Sequence, residues 1–142
     1  MSSAASPLAP AGRGLLDTSV VIDLEHIEAA ALPEEPAISA LTLAELTAGP
    51  LATHDDEERA RRQDRLQRIE ASMDPLPFDD HAARAYGRIY AATRSSRRKP
   101  RGARAVDLLI AAVALANGLP LFTRNPRDFD HLRSIGLAVQ RV

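Results

Sequence analysis

The chain of 142 residues contains no cysteine. Disulfides, zinc–thiolate sites and thiol nucleophiles are therefore excluded, and the absence fits a cytoplasmic protein. It has one lysine, Lys99, against 17 arginines among 18 basic residues, so chemistry that needs an amine has one place to find it. Aromatic residues make up only 4%, too few to interleave a basic stretch with base-stacking platforms. No apolar run approaches the roughly 18 residues of a membrane span, which predicts no membrane association. His26, His54, His81 and His131 do not pair at metal-ligand spacing, and no internal repeat is visible. The net charge of −1 argues against a general nucleic-acid coat, although local basic patches still bind phosphate.

What is present reads as alternating strands and helices. Residues 1–12, rich in Ala, Ser and Pro, lack the pattern of a signal peptide and are expected to form a disordered leader, with a single domain over 13–142. "GLL" reads as a short buried strand. In "TSVVIDLEHIEAA", Val20, Val21, Leu24 and Ile27 share one helical face. "AIS" is the second strand and "ALTLAELTAG" a short helix, with Thr42 and Glu45 at capping-box spacing. A charged helix over 53–73 has its acids early and its arginines late. It is read as a salt-bridged solvent face. "PLPF" is a short linking strand, and a further helix carries Tyr86 and Tyr90. "AVDLLIAAVALANG" is apolar nearly all round and is expected to be central. "LPLFT" and "LAVQRV" complete the strands. This alternation predicts an α/β fold with a parallel sheet, whose ligands gather at the carboxyl ends of the strands.

Four places put an acid or amide at a strand end or in apolar surroundings: Asp17, Glu45, Asp107, and the pair Asn125 and Asp128. Each also has a structural reading. Asp17 caps a helix, Glu45 completes a capping box and Asp107 complements a helix dipole. Asp128 caps the next turn, and Asn125 is a turn residue before Pro126. Jointly they are stronger evidence. Converging carboxylates in apolar surroundings repel one another and resist ionisation, and a divalent cation relieves both problems. All-oxygen ligands favour Mg2+ or Mn2+, the usual equipment for metal-assisted phosphodiester hydrolysis.

In order and spacing, "LLDTSVVIDL", "LTLAEL" and "VDLLIAAVALANGLPLFTRNPRDF" resemble the PIN-domain ribonucleases, closest to the VapC-type toxins of type II toxin–antitoxin systems. The resemblance implies a PIN-like three-layer α/β/α sandwich with a central, mainly parallel sheet. It implies a toxin that is a metal-dependent endoribonuclease, using Mg2+ with Mn2+ able to substitute. Asp17, Glu45 and Asp107 would be catalytic and metal-binding, with Asp128 and Asn125 as further metal candidates. Ser19 and Thr123 would be supporting hydroxyls. Asn125 departs from relatives that carry a fourth acid there, and Asp128 is the candidate replacement. The resemblance further implies a homodimer, a cognate VapB-type antitoxin, and contact with DNA only through that antitoxin.

"RSSRRKPRGAR" lies directly before Asp107. Arg97, Arg98, Lys99 and Arg101 are read as an RNA-binding rim, the alternative being a solvated loop. Two other functions fit the sequence less well. An aspartyl-phosphate-type phosphoryl transfer domain lacks its lysine after the late strand, and its phosphatase form lacks a second aspartate at Ser19. A catalytically inactive interaction module rests only on Asn125.

Overall fold

The computed structural model describes residues 12–99 and 104–142. The expected leader, up to residue 11, and Arg101 lie outside the described residues. Among the described residues there are five strands: β1 (Arg13–Leu16), β2 (Glu35–Ser39), β3 (Pro75–Leu76), β4 (Leu121–Thr123) and β5 (Val139–Arg141). The helices are α1 (Thr18–Ile22), α2 (Ala40–Ala48), α3 (Asp56–Ser72), α4 (Asp80–Ser95) and α5 (Arg104–Ala116).

The strands form one sheet in the order β3-β2-β1-β4-β5, and every neighbouring pair is parallel. Side chains alternate across it. Leu15, Ala37 and Leu121 enter the core built with α4 and α5. Leu16, Ile38 and Phe122 enter a second core with α1, Leu46 of α2, and Leu66 and Ile69 of α3. The result is the expected three-layer arrangement with a parallel sheet, buried on both faces as such sheets require.

Two expected elements differ. The helix expected from Thr18 to Ala30 stops at Ile22 and gives way to 3-10 turns at Leu24–His26 and Ala29–Ala31. Its β-branched run Val20, Val21, Ile22 has modest helix propensity, and Asp23 ends it. Leu24 and Ile27 still pack against the second core, which explains why the spacing looked helical. The Thr42–Glu45 capping box does not form. Ser39 is the N-cap of α2 and its hydroxyl accepts the Thr42 N–H at 3.1 Å.

The charged helix follows its sequence reading. Asp55 caps α3 by accepting the Glu58 N–H at 2.8 Å. Arg61 and Arg62 pair with Glu58, and Arg68 with Asp64. Such exposed pairs add little stability each, but they mark a solvated face.

Candidate active site

In this sheet the chain leaves β1 in one direction toward β2 and returns on its other side as β4. Open parallel sheets bind ligands at such a switch point, beyond the strand carboxyl ends. Asp17 follows β1 there, and its N–H continues the ladder to the Phe122 carbonyl at 2.9 Å. Thr123 ends β4 beside it.

Asp17 is 4% exposed. Its Oδ1 accepts the Thr18 N–H at 2.8 Å, so it does cap α1. Its Oδ2 accepts the Ser19 hydroxyl at 3.0 Å and the Thr123 hydroxyl at 2.8 Å. Capping and site-building are thus one arrangement rather than rival readings. Ser19 Oγ also accepts the Arg124 N–H, and Thr123 Oγ1 the Asn125 N–H. Both hydroxyls are therefore pinned from two sides. Burial pushes the Asp17 carboxyl above its usual range, and the three hydrogen bonds only partly oppose that shift.

Glu45 lies on α2 and is exposed, contrary to the apolar setting read from its neighbours. A helix places Glu45 on a different face from Leu46, which is the apolar residue α2 buries. Its carboxylate still joins the site, because Oε1 accepts the buried Thr18 hydroxyl at 2.6 Å. That hydroxyl has one proton to give, so Thr42 donates to Thr18 across 2.9 Å. From the sequence Thr18 reads only as a candidate helix cap, although it sits between two residues read as part of the site.

Asp107 occupies the first turn of α5 and is half-buried. Its carboxyl is pushed up to about 6, first by burial and then by the charges of Asp17, Glu45 and Asp128, with Arg104 opposing. The four acids therefore share one electrostatic neighbourhood. Asp128 lies within the turn Pro126–Asp128 and faces Arg104, with 3.8 Å between Oδ1 and Nη1. It does not cap the next turn, whose N-cap is Phe129. Asn125 is exposed, and its carbonyl accepts the Asp128 N–H at 3.1 Å, as its turn reading expects.

The donor set fits a hard divalent cation: carboxylates from three elements, all oxygen, with excess negative charge felt at Asp107. Among the described residues no three acidic or histidine side chains already stand as a preassembled cage. Asp17, Glu45 and Asp107 would hold an ion by drawing together around it.

The raised carboxyl of Asp107 has a consequence for stability. A group whose pKa rises on folding contributes stability that is complete below its unfolded value, here 3.8, and is lost as pH rises through about 6. In EDTA, the melting temperature should climb as pH falls from 7.5 to 5, and Asp107→Asn should flatten that climb. An unchanged slope in the variant would remove Asp107 as its source.

Among its described residues, the basic stretch reaches the site through Arg104, which faces Asp128, and through Arg98. Arg98 donates from Nη1 to the Arg127 carbonyl at 2.7 Å, in the turn that carries Asp128. Arg97 and Lys99 are exposed, and Arg97 has a φ of 66° at the turn that ends α4.

A PIN domain sequence profile matches residues 14–134. The chain is 40% identical over 115 residues to Ribonuclease VapC5 of Mycobacterium tuberculosis, an alignment covering 79% of this chain and 82% of that protein. It is 32% identical over 130 residues to Plasmid stability protein StbB of Pseudomonas syringae pv. tomato, covering 82% and 90% respectively. Among solved structures it is similar to a chain of VapBC-5, a member of the VapBC family of toxin–antitoxin systems from M. tuberculosis. That likeness has a TM-score of 0.78 at 38% identity and covers 92% of this chain and 97% of the other. A chain of Rickettsia felis VapBC2, solved with a fragment of promoter DNA, shares the fold at a TM-score of 0.74 and 22% identity, covering 92% and 99%.

Proposed function

Since this chain belongs to the PIN-domain family and is a VapC-type ribonuclease toxin of a toxin–antitoxin system, we propose that it hydrolyses RNA with a divalent ion held by Asp17, Glu45 and Asp107. The observation that carries this reading is the placement of the acids at the switch point of the sheet, where Thr18 hydrogen-bonds both Asp17 and Glu45, with the charge of both acting on Asp107. A bound Mg2+ or Mn2+ would supply Lewis-acid polarisation of the phosphodiester and activation of water.

The chain's own residues do the positioning. Ser19 and Thr123 fix one oxygen of Asp17 and the Thr18 N–H fixes the other. The same Thr18 uses its hydroxyl to orient Glu45. Two acids are thus set by the backbone N–H and the side-chain hydroxyl of one residue. Asp107 approaches from α5, whose buried residues Leu108, Ile110 and Ala111 hold its backbone in the core.

Arg97, Arg98, Lys99 and Arg101 would track the RNA backbone beside this centre. Arg98 ties the loop to the Asp128 turn, so the clean test neutralises the other three. Changing Arg97, Lys99 and Arg101 to Gln should raise KM and leave kcat nearly unchanged. The slope of binding against salt should flatten by about 0.7 per lost phosphate contact on a single strand. An unchanged slope would return the loop to a solvated connection.

The partner is a VapB-type antitoxin, through which any contact with DNA would be made. A groove between α1 and α3, lined by Val21, Ile22, Leu24 and Ile69 and rimmed by Arg61, Arg65 and Arg68 together with Glu25 and Asp64, suits an amphipathic helix with a charged flank. Ile22 is 46% exposed there. The active unit is a homodimer, for which the exposed Tyr90 edge of α4 offers an apolar surface. No helix among the described residues is long and apolar enough to cross a membrane. Induced alone, the protein should arrest growth, and co-induction of its antitoxin should restore it. Unimpaired growth with the soluble, folded protein accumulating would contradict the toxin reading.

A further inference from the structure

Arg104 opens α5 one turn before Asp107, and its guanidinium stands among acids. Nη1 lies 3.8 Å from Asp128 Oδ1, an ion pair too long to be a hydrogen bond. The same nitrogen is shielded from solvent and has no hydrogen-bond partner among the described residues. A buried guanidinium N–H without an acceptor is costly, and chains normally avoid it by turning the group to water or to a partner. What keeps this one in place is charge. Arg104 opposes the repulsion that Asp17, Glu45 and Asp128 exert on Asp107. A guanidinium stays charged at every working pH, so this compensation is permanent. The turn after β4 carries the neutral Asn125 and the acid Asp128, with Arg104 against that acid.

We propose that Arg104 is a resident counter-ion of the acidic site, pairing with Asp128 and occupying the half of the site that a second divalent ion would otherwise take. The chain then binds one ion tightly and holds its second position with a fixed positive charge. This inference rests on the reading of Asp17, Glu45 and Asp107 as ligands of a divalent ion. Arg104 acts through Asp128, so it is a positioning residue.

The test is Mn2+ binding, followed by calorimetry and by the electron paramagnetic resonance signal of free Mn2+. The full chain is compared with R104Q, R104K, D128N and the double variant R104Q/D128N. The full chain should bind one Mn2+ tightly. R104Q should gain a second, or bind it at least about tenfold more tightly, because a unit charge close to its ligand has been removed. That gain should vanish in R104Q/D128N, which lacks the freed ligand. R104K should resemble the full chain, because the charge is kept. Circular dichroism confirms that each variant is folded. Equal binding by the full chain and R104Q, a gain that survives loss of Asp128, or R104K behaving like R104Q would each overturn the proposal. So would two ions of similar affinity in the full chain. Absence of Mn2+ binding in every protein, the full chain included, would instead overturn the divalent-ion reading on which the proposal rests.

Discussion

Replacing Asp17 with asparagine is expected to lower divalent-ion-dependent RNA cleavage by about a thousandfold or more, the scale of several kcal/mol of transition-state stabilisation, while the protein stays folded. Asparagine is nearly isosteric and caps helices as well as aspartate does, so the Thr18 N–H keeps its acceptor. On the other branch, an amide nitrogen would replace the oxygen that accepts the Ser19 and Thr123 hydroxyls. Those hydroxyls can rotate to accept instead. The buried negative charge disappears, and with it part of the repulsion on Asp107. Melting temperature without metal should therefore hold or rise while activity collapses. Activity within tenfold of the unaltered protein would remove Asp17 from the chemistry. A collapse of both would make its role structural.

The second large effect is in the core. A Cβ built on Gly14 would lie 2.4 Å from Phe122 Cε1, 2.8 Å from Cδ1 and 3.0 Å from Pro33 Cγ. Phe122 is 2% exposed and packed between β1 and α1, so its ring cannot swing clear. Gly14→Ala should destabilise by about 1–3 kcal/mol, the usual cost of overpacking, lowering the melting temperature by roughly 3–12 °C for a chain of this size. Gly14 is three residues from Asp17 on the strand that delivers it, so activity should fall below what the folded fraction explains. A melting temperature within 1 °C of the unaltered protein would show that the sheet absorbs the methyl group.

Gly14 also shows what the sequence does not reveal. A glycine inside an apolar run reads as a weak strand position, and only the register that sets Leu16 beside Phe122 exposes the aromatic ring crossing over it. The strand order was equally hidden, because pairing across β1, β2 and β4 joins segments far apart in the chain. Alternation of elements was legible, since helical spacing and short apolar strands have different periods. Asp17 and Asp107 stood out because charge in an apolar run is costly.

Glu45 was placed by its apolar neighbours, but the helix turns it outward, and its tie to Asp17 runs through Thr18, an ordinary residue in sequence terms. Arg104 was missed for a similar reason. In an arginine-rich chain it looks like the tail of a basic loop, and its meaning depends on Asp128, 24 positions later.

The central claim is that water, activated at an acidic divalent-ion site, cuts RNA. It is tested most directly by incubating end-labelled RNA with the protein and Mn2+, with and without EDTA, and identifying the new ends. Cleavage should require the ion, disappear in Asp107→Asn, and leave no 2′,3′-cyclic phosphate, because the nucleophile is water rather than the 2′-hydroxyl. Cleavage that persists in EDTA, or fragments ending in a cyclic phosphate, would contradict it.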